Sequence, residues 1–553
     1  MKMNTKSRII TILLLLHAAT SSFACTNLIV GKKASVDGSV ICTYNCDGFG
    51  FASSMGYIPA GQHEKGELQA IHGWGPEHKD PYVAMPSYTY GIVGLMNDHQ
   101  LSIVETTFDG RLELVNEEGM LDYFSLMKLA LQRCTTAREA ILCMDRLTQE
   151  YGYNSSGESF AVCDKNEAWI MEMMGKGPGR KGSVWVAMRV PDDCICAYAN
   201  LSRIRQFPLK DKANCLYSKD VISFAREMGL YSGSDKDFSW RDTYCPIDFE
   251  NVRYGDARVW SFFRHHVANK NSWDKYLSYI DGDFSTYDHL PLWIKPDKPL
   301  SVRDVMEDMR DHYEGTALDM SADMSAGPWA SPYRAKDINF KAEDGTTLFR
   351  ERPIGCQQSG MTMVCQMRSW LPDEVGGVTY FNLDDASMVA YVPCYCGITC
   401  IPNPFRRENN NILEFSEESA FWMCNWVANM VYPRYSAMIA DLREAQKEVE
   451  DYYSTDQKIV EDTICKMKTR GERVEYLTTK TSQYTNYMMK RWKKLAHLLI
   501  VKHNDQIMRP SKDGIVVPGR YSAPNYSPAF IDAIKQQTGV RYQPREVIQR
   551  RQR

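Results

Sequence analysis

Two strands joined by a turn are predicted within residues 25–47, CTNLIVGKKASVDGSVICTYNCD. The first run, Asn27–Val30, is mainly apolar, and Ser39–Thr43 resumes the apolar pattern after the turn sequence Ser-Val-Asp-Gly. Two such runs around a turn are typical of a β-hairpin. Cys25 would therefore stand at the start of the first strand.

The segment before Cys25 has the features of a secretory signal peptide. Three basic residues precede the apolar run Ile9–Leu16, and Ser22-Phe23-Ala24 resembles a small-residue cleavage site. The apolar run is shorter than the roughly 20 residues that a membrane-spanning helix needs. We expect a signal peptide at residues 1–24, an exported protein that is periplasmic or secreted, no transmembrane span, and Cys25 as the first mature residue.

The composition is that of a soluble globular protein. The 553 residues are 44% hydrophobic and 24% charged, and the net charge of −4 gives no sign of nucleic-acid binding. The 17 cysteines are odd in number, so at least one thiol has no partner within the chain, and the sequence does not reveal which cysteines pair. Cys394, Cys396 and Cys400 lie close together but lack the paired knuckles or nearby histidine of a zinc site. We expect neither a metal nor a cofactor.

The order of predicted elements indicates an α+β fold. Strand blocks that recur far apart in sequence suggest stacked sheets covered by helices, not a doubly wound sheet. Strands are predicted within residues 90–95, 101–107, 159–163, 168–173, 183–188, 195–199, 378–381 and 387–392, and helices within 120–149.

The character of the chain changes after Pro404. Glu417–Lys502 reads as mostly long amphipathic helix, and a short helix is predicted at Pro528–Gln537 before an Arg-rich end. We therefore divide the chain into residues 1–24, a catalytic domain at 25–405, and a helical extension with a basic tail at 406–553. This extension could be an oligomerisation surface, a lid or a buttress, so a homo-oligomer remains open.

Cys25 carries the strongest chemical signal. A thiol with a pKa of roughly 8.5 needs a nearby base to become the attacking thiolate. Signal cleavage would expose the α-amino group of the same residue, whose pKa of roughly 7.7 to 8 suits that role. Two alternatives remain: Cys25 could be acylated as a lipoprotein anchor, or it could join a disulfide. Ser22 and the bulky Phe23 do not match the usual lipoprotein pattern.

Several motifs point to one family. The opening CTNLIVGKKASVDGS is followed in order by NEAWIME (166–172), GKGPG (175–179), AN with SRI (199–204), EGT (314–316), AGP with SPYR (326–334), RSWLP (368–372) and YCGIT (395–399). Over roughly Cys25–Tyr435 the chain resembles the C69 family of dipeptidases, N-terminal-nucleophile hydrolases related to secernins. The resemblance implies a four-layer αββα sandwich and hydrolysis of amide bonds, chiefly in dipeptides.

The resemblance also implies catalytic residues. Cys25 matches the nucleophile, and Asp47 matches an acidic residue beside the α-amino group and the thiol, although Asp-Gly also suits a turn. Asn200 matches a side-chain donor to the oxyanion, and Thr107 stands where a backbone N–H supplies the second donor. Without the resemblance, Asn200 would be read as capping a turn.

Four further residues are expected near the substrate. Glu105 and Thr106 could face its amino group, and Arg203 could pair either with its carboxylate or within a structural ion pair. Tyr44 stands where related amidases often carry an arginine, so a cation that would lower the pKa of the thiol is missing at that position.

The sequence thus predicts an exported cysteine dipeptidase that acts on small peptides through a thioester on Cys25. The alternatives are an N-acyl amide hydrolase of the same superfamily and a non-catalytic lipoprotein acylated at Cys25. Motifs of serine hydrolases, zinc proteases, P-loop proteins and Rossmann folds are absent from the sequence.

Overall fold

The structure, a computed structural model, describes residues 24–48, 50–71, 82–285, 289–334, 339–349 and 351–544. Apart from Ala24, the predicted signal peptide lies outside these residues, as does the end of the basic tail. Within the described ranges, no helix combines the length and the apolar character needed to cross a membrane.

Among the described residues, fifteen strands form two large sheets. They are β1 (Ala24–Val30), β2 (Val40–Asp47), β3 (Tyr57–Ile58), β4 (Ile92–Val93), β5 (Met96–Asn97), β6 (Ser102–Asp109), β7 (Gly157–Cys163), β8 (Ala168–Gly175), β9 (Ser183–Arg189), β10 (Ile195–Tyr198), β11 (Cys215–Tyr217), β12 (Trp293–Ile294), β13 (Ser359–Met367), β14 (Val378–Leu383) and β15 (Val392–Tyr395).

Every neighbouring pair in the two sheets is antiparallel. The first sheet has the order β12-β10-β1-β2-β13-β14-β15, and the second has the order β11-β9-β8-β7-β6-β5-β4-β3. The described ranges also contain four two-stranded ribbons: Gly61–Gln62 with Tyr88–Thr89, Leu68–Ala70 with Tyr82–Ala84, Asn339–Lys341 with Thr347–Phe349, and Ser511–Lys512 with Ile515–Val516.

Thirteen α-helices accompany the sheets in the described part of the chain. They are α1 (Tyr123–Arg133), α2 (Ala137–Tyr151), α3 (Val221–Glu227), α4 (Trp240–Tyr244), α5 (Phe249–Asn251), α6 (Ala257–His265), α7 (Leu277–Ile280), α8 (Val302–Asp308), α9 (Asp373–Gly376), α10 (Ala420–Val431), α11 (Tyr435–Ile464), α12 (Arg470–His503) and α13 (Pro528–Thr538). A π-helical turn at Val252–Asp256 leads into α6, and short 3-10 turns link other elements.

The two sheets pack against each other, and helices pack against both. Strands β1 and β2 contact β6, while β2 also contacts β7 of the second sheet. Helices α1, α2 and α3 contact the second sheet, whereas α6, α8, α10, α11 and α12 contact the first. Every residue of β2, β7, β8 and β13 is buried, as expected of strands covered on both faces. The predicted α+β class is confirmed.

The hairpin predicted within residues 25–47 is confirmed. Strands β1 and β2 pair antiparallel, with Cys25 opposite Cys46 and Ala24 opposite Asp47. The pairing places Cys25 in an inner strand of the first sheet, between β10 and β2.

The strand predicted at residues 387–392 is wrong for most of its length. Only Val392 belongs to a strand, because the backbone before it bonds to side chains of α11 instead of to a neighbouring strand. The Gln446 amide donates to the carbonyls of Ser387 and Val389, and Glu450 accepts the N–H of Tyr391. Apolar, β-branched sequence does not reveal such partners in advance.

A second predicted strand is shorter in the structure than expected. The strand predicted at residues 90–95 is limited to β4, because the chain reverses at Gly94, whose φ of 63° lies in the left-handed region. Strands β4 and β5 form a tight hairpin around this turn.

Helices α10, α11 and α12 confirm the predicted helical character of residues 417–502, and α13 confirms the short helix near the end. They also cover β14 and β15.

Glu450 of α11 is buried and pairs with Arg310 at 2.5 Å, as well as with the half-buried Arg303. The division of domains at residue 405 stays a prediction.

All 17 cysteines lie among the described residues, and none forms a disulfide. Only Cys400 and Cys465 are exposed.

Candidate active site

The Cys25 thiol lies where the two sheets meet. Its Sγ donates to the Tyr44 hydroxyl at 3.6 Å and lies 3.8 Å from Oε1 of Glu105. The Tyr44 hydroxyl in turn donates to the same Glu105 oxygen. Cys25 and Tyr44 belong to the first sheet and Glu105 to β6 of the second, so the contact joins the sheets. The structure thus brings three predicted site residues together.

The surroundings of the thiol favour its protonated form. Burial raises the pKa of Cys25 well above its ordinary value, and its neighbours Cys46, Glu105 and Asp47 raise it further. A neutral thiol is a poor nucleophile. Attack by this sulfur therefore requires a base at the site.

A second buried glutamate, Glu158, lies beside Glu105. Thr107 is opposite Glu158 in the β6–β7 ladder, so Glu105 and Glu158 occupy neighbouring positions on one face of the sheet. Thr107 Oγ1 donates to Glu158 Oε1 at 2.8 Å.

This arrangement separates the pKa values of the two carboxyls. Burial raises the pKa of Glu105 to about 6, while hydrogen bonds from Tyr44, Glu158 and Cys25 oppose the rise. Burial and the charge of Glu105 raise the pKa of Glu158 well above its ordinary value. The two carboxyls therefore titrate as a coupled pair, and a proton that they share is favoured on Glu158 over Glu105. Glu158 was not identified from the sequence.

Asn200 is held in a fixed orientation beside Thr107. It follows β10 with a φ of 54°, in the left-handed region that asparagine tolerates. Its Nδ2 donates to the carbonyl of Thr107 at 2.7 Å, and its Oδ1 accepts from Arg258 Nη2 at 2.8 Å. The two residues predicted to bind the oxyanion are thus neighbours.

Arg258 connects Asn200 to Cys25. Its Nη1 donates to the carbonyl oxygen of Cys25 at 2.8 Å and to Thr26 Oγ1 at 2.6 Å. The Thr106 hydroxyl donates to the same Cys25 oxygen at 3.0 Å. Burial, aided by the charge of Arg352, lowers the pKa of Arg258 to about 10, which leaves the guanidinium charged at neutral pH.

The sequence contains a signal for Arg258 that was missed. It is the one charged residue in the otherwise apolar or small run Ala257–Phe263 of α6. A buried arginine needs partners, so its position in this run indicates a specific contact. One partner of Arg258 is Cys25, which lies 233 positions away in the sequence, so the local sequence pattern does not reveal the contact.

Asp47 is fixed at the end of β2. Its Oδ1 accepts from Ser359 Oγ at 2.6 Å and its Oδ2 pairs with Arg352 at 3.0 Å. Because Asp47 is opposite Ala24, this buried carboxylate lies beside the residue that precedes Cys25. Arg352 was not identified from the sequence.

Arg203 lies in a buried ion pair, one of the two roles considered for it. Its Nη1 pairs with Asp256 at 2.7 Å and its Nη2 donates to the carbonyl of Pro291 at 2.6 Å. Asp256 also accepts from the Tyr279 hydroxyl at 2.7 Å and lies 3.5 Å from Arg241. The structure places Arg203 in this network and not against Cys25.

Across the described ranges, no three histidine, cysteine or acidic side chains are grouped so that they could hold a metal ion. Cys394 and Cys396 are buried, whereas Cys400 is exposed.

Comparison with known proteins assigns the chain to a family. The profile of peptidase family C69 matches residues 24–448, well over half of the chain. A probable dipeptidase of Salmonella dublin is 27% identical over 394 residues, which cover 68% of this chain and 81% of that protein. A probable dipeptidase of Latilactobacillus sakei is 23% identical, covering 84% of this chain and 92% of that protein. Dipeptidase A of Lactobacillus helveticus is also 23% identical, covering 73% and 81%. The chain therefore belongs to peptidase family C69 and is a hydrolase of peptide bonds.

Proposed function

We propose that the protein is an exported dipeptidase whose nucleophile is the thiol of an N-terminal Cys25. The observation that carries this proposal is the position of that thiol, 3.8 Å from Glu105 at the junction of the sheets. The family match begins at residue 24, beside the predicted cleavage site. The names of the relatives support dipeptides as the substrates.

We further infer that the fold is the αββα sandwich of the N-terminal-nucleophile hydrolases. Contacts between β1 and β6 support two facing sheets, and the separate sets of helices on each sheet support the outer layers. In this arrangement a nucleophile at the start of β1 lies between the sheets.

The proposed reaction begins with proton transfer within Cys25. Removal of residues 1–24 converts the amide nitrogen of Cys25 into a free amine. That amine accepts the Sγ proton, and the sulfur attacks the scissile carbonyl carbon to give a tetrahedral oxyanion. Asn200 Nδ2 and the backbone N–H of Thr107 donate to the oxyanion.

Collapse of this intermediate releases the first product. The C–N bond breaks, the ammonium group of Cys25 gives its proton to the leaving amine, and the acyl group remains on sulfur as a thioester. Water then gives a proton to the free amine and attacks the thioester. The C–S bond breaks, the ammonium returns its proton to sulfur, and the carboxylic acid product leaves.

The other residues of the site position these groups. Arg258 holds the Cys25 carbonyl and Asn200 at a fixed separation, and Asp47 lies where it can hold the new ammonium group. Tyr44 and Glu105 fix the thiol. Glu105 and Thr106 also remain our candidates for contact with the amino group of the substrate.

The decisive experiment combines intact-mass measurement with hydrolysis assays. We expect secreted native protein to begin at unmodified Cys25 and to cleave members of a dipeptide panel. A Cys25→Ala variant should fold normally and lose all measurable turnover. Cys394→Ala, which removes another buried thiol from β15, serves as the matched control and should remain active.

Several outcomes would contradict the proposal. A diacylglyceryl mass on Cys25 would identify a lipoprotein, and any other N-terminus would leave the thiol without its base. Turnover by Cys25→Ala would exclude the thioester. Cleavage of N-acyl amides but not of dipeptides would assign the site to the other branch of the superfamily.

A further inference from the structure

A second thiol faces Cys25 across the first two strands. Cys46 of β2 is directly opposite Cys25 of β1 in the antiparallel ladder. Opposite residues of such a ladder point to the same face of the sheet. Both cysteines are 1% exposed, and a side-chain hydrogen bond to Cys46 is one of the causes, after burial, that raise the pKa of Cys25. The two sulfur atoms are therefore neighbours inside the proposed active site.

The backbone of this pair has the spacing that a disulfide needs. The Cys25 carbonyl accepts from Arg258 and Thr106, neither of which belongs to β2. The N–H of Gly31, an even number of residues further on, donates to the residue before β10. Cys25 therefore bonds away from β2, and it forms a non-hydrogen-bonded pair with Cys46, in which the Cα atoms are about 4.5 Å apart. Disulfides join residues whose Cα atoms are roughly 4.4 to 6.8 Å apart.

Cys42 provides a contrast on the same strand. It lies four residues before Cys46 but is opposite Ile29 in β1. The cysteine opposite Cys42 is Cys365 of β13, on the side away from β1. Cys46 is thus the thiol of β2 that is placed to bond with Cys25, and Cys42 offers a matched control.

A small molecule that enters the site can reach this pair. Tyr123, the first residue of α1, is only half-buried. Burial raises its pKa, and the charges of neighbours that include Glu105, Cys46 and Cys25 raise it further. The two thiols therefore lie close to a side chain that reaches the surface. A peroxide is smaller than the dipeptide that the proposed reaction brings to the same sulfur.

We propose that Cys25 and Cys46 form a reversible disulfide when a hydroperoxide enters the site, and that this bond switches the enzyme off. The inference rests on the proposed function, in which Cys25 is the nucleophile. It adds a modification site, and it gives Cys46 a role that hydrolysis does not use. While the bond is in place, the sulfur of Cys25 cannot attack a carbonyl carbon.

The oxidation proceeds in two steps with hydrogen peroxide as the oxidant. The α-amine of Cys25 accepts the Sγ proton, and the sulfur attacks one peroxide oxygen. The O–O bond breaks, Cys25 becomes a sulfenic acid, and the departing hydroxide takes the ammonium proton to leave as water. Sγ of Cys46 then attacks Sγ of Cys25. The S–S bond forms, the S–O bond breaks, and hydroxide leaves with the Cys46 proton as a second water. Two thiols thus lose two electrons to one peroxide, and a dithiol reverses the change by thiol–disulfide exchange.

The first experiment maps the bond in the wild-type protein. Reduced protein is treated with hydrogen peroxide, the remaining thiols are blocked with N-ethylmaleimide under denaturing conditions, and the chain is digested with trypsin. Cleavage after Lys32 separates Cys25 from the segment 34–65, which contains Cys42 and Cys46. We expect these two peptides to be cross-linked, two hydrogens lighter than their sum, and to separate on treatment with dithiothreitol. Absence of this cross-link after oxidation, or fragmentation that assigns it to Cys42, would overturn the proposal.

The second experiment measures the recovery of activity. Peroxide should remove nearly all dipeptidase activity of the wild type, and dithiothreitol should restore it. In Cys46→Ser the sulfenic acid of Cys25 meets no thiol and oxidises further to the sulfinic acid, which dithiothreitol does not reduce, so the loss should be permanent. Each protein is compared with its own activity before oxidation.

Cys42→Ser, on the same strand, is the matched control and should recover as the wild type does. Equal recovery by Cys46→Ser and by the wild type would contradict the role of Cys46. Activity that survives complete cross-linking would contradict the switch.

The two experiments separate this inference from the proposed function. Peptide mapping needs neither turnover nor a variant, so a folding defect in Cys46→Ser leaves it decisive. If reduced wild-type protein cleaves no dipeptide, the proposed function fails, while the mapping still decides whether the two cysteines pair. If peroxide neither cross-links the peptides nor lowers the activity, the disulfide is overturned and the proposed function stands.

Discussion

Arg258 Nη1 lies 2.8 Å from the carbonyl oxygen of Cys25, and Nη2 of the same guanidinium lies 2.8 Å from Oδ1 of Asn200. The planar fork of arginine therefore spans Cys25, the proposed nucleophile, and Asn200, the proposed oxyanion donor. No arginine occupies the position of Tyr44, but a cation reaches Cys25 from a different element, helix α6.

Replacing Arg258 with lysine tests this bridge. Lysine keeps the charge but cannot hold both acceptors in one plane, so we expect kcat to fall about 100-fold with a smaller change in KM. Steady-state kinetics on a dipeptide measures the effect. Arg264→Lys, in the same helix but paired with Asp274, is the control and should stay within a few-fold of wild type. A wild-type kcat in Arg258→Lys would show that the bridge has no catalytic role.

The pH dependence of activity should respond to Tyr44. Its hydrogen bond stabilises the charged form of Glu105 and so lowers the pKa of that carboxyl from what burial alone would give. In Tyr44→Phe the pKa should rise above about 6, and the acidic limb of the kcat/KM profile should move to higher pH. Tyr452→Phe, which alters an exposed tyrosine, should leave the limb in place. A limb that stays or moves to lower pH contradicts this assignment.

The stability of the protein should also report on Glu105. Its folded-state pKa is raised to about 6 from 4.5, so the native state binds the proton more tightly than the unfolded state does. The group therefore lowers the free energy of unfolding as pH rises from about 4.5 towards 7, by about 2 kcal/mol. Urea denaturation at both pH values should show this loss in wild type and its absence in Glu105→Gln. Buried carboxyls that do not interact with Glu105 contribute equally to both proteins, so the difference reports on Glu105 together with Glu158, whose pKa the charge of Glu105 raises. Glu408→Gln, which changes an exposed carboxylate, should keep the wild-type slope.

The ion pairs of Asp256 should dominate local stability. Asp256→Asn leaves the buried cations Arg203 and Arg241 without their counter-charge, so we expect a loss of about 3 to 5 kcal/mol. Asp235→Asn breaks the exposed pair with Arg226 and should cost less than about 1 kcal/mol. Comparable losses from the two substitutions in urea denaturation would contradict the argument.

The parts of the fold that depend on local sequence were predictable. The hairpin that presents Cys25 follows from two apolar runs around Asp37-Gly38, and α2 follows from its periodic apolar face. The strand at 387–392 failed because Gln446 and Glu450, from a distant helix, bind its backbone.

The candidate site was predictable only in part. Cys25, Asp47, Asn200 and Thr107 were predicted from the resemblance to the C69 family, and Glu105 from its place near Thr107. Glu158, Arg258 and Arg352 act through contacts made only when distant elements pack together. For these three residues the one local signal was Arg258, a charged residue in an otherwise apolar run. The sequence around it does not show which residues it contacts.

The pairing of Glu450 with Arg310 has a practical consequence for shortening the protein. A chain that ended before α11 would leave the buried guanidinium of Arg310 without the counter-charge of Glu450. It would also expose the edge strand β15. Such a fragment would be expected to precipitate on expression, so a minimal version suited to crystallisation or fusion should retain the sequence at least through His503.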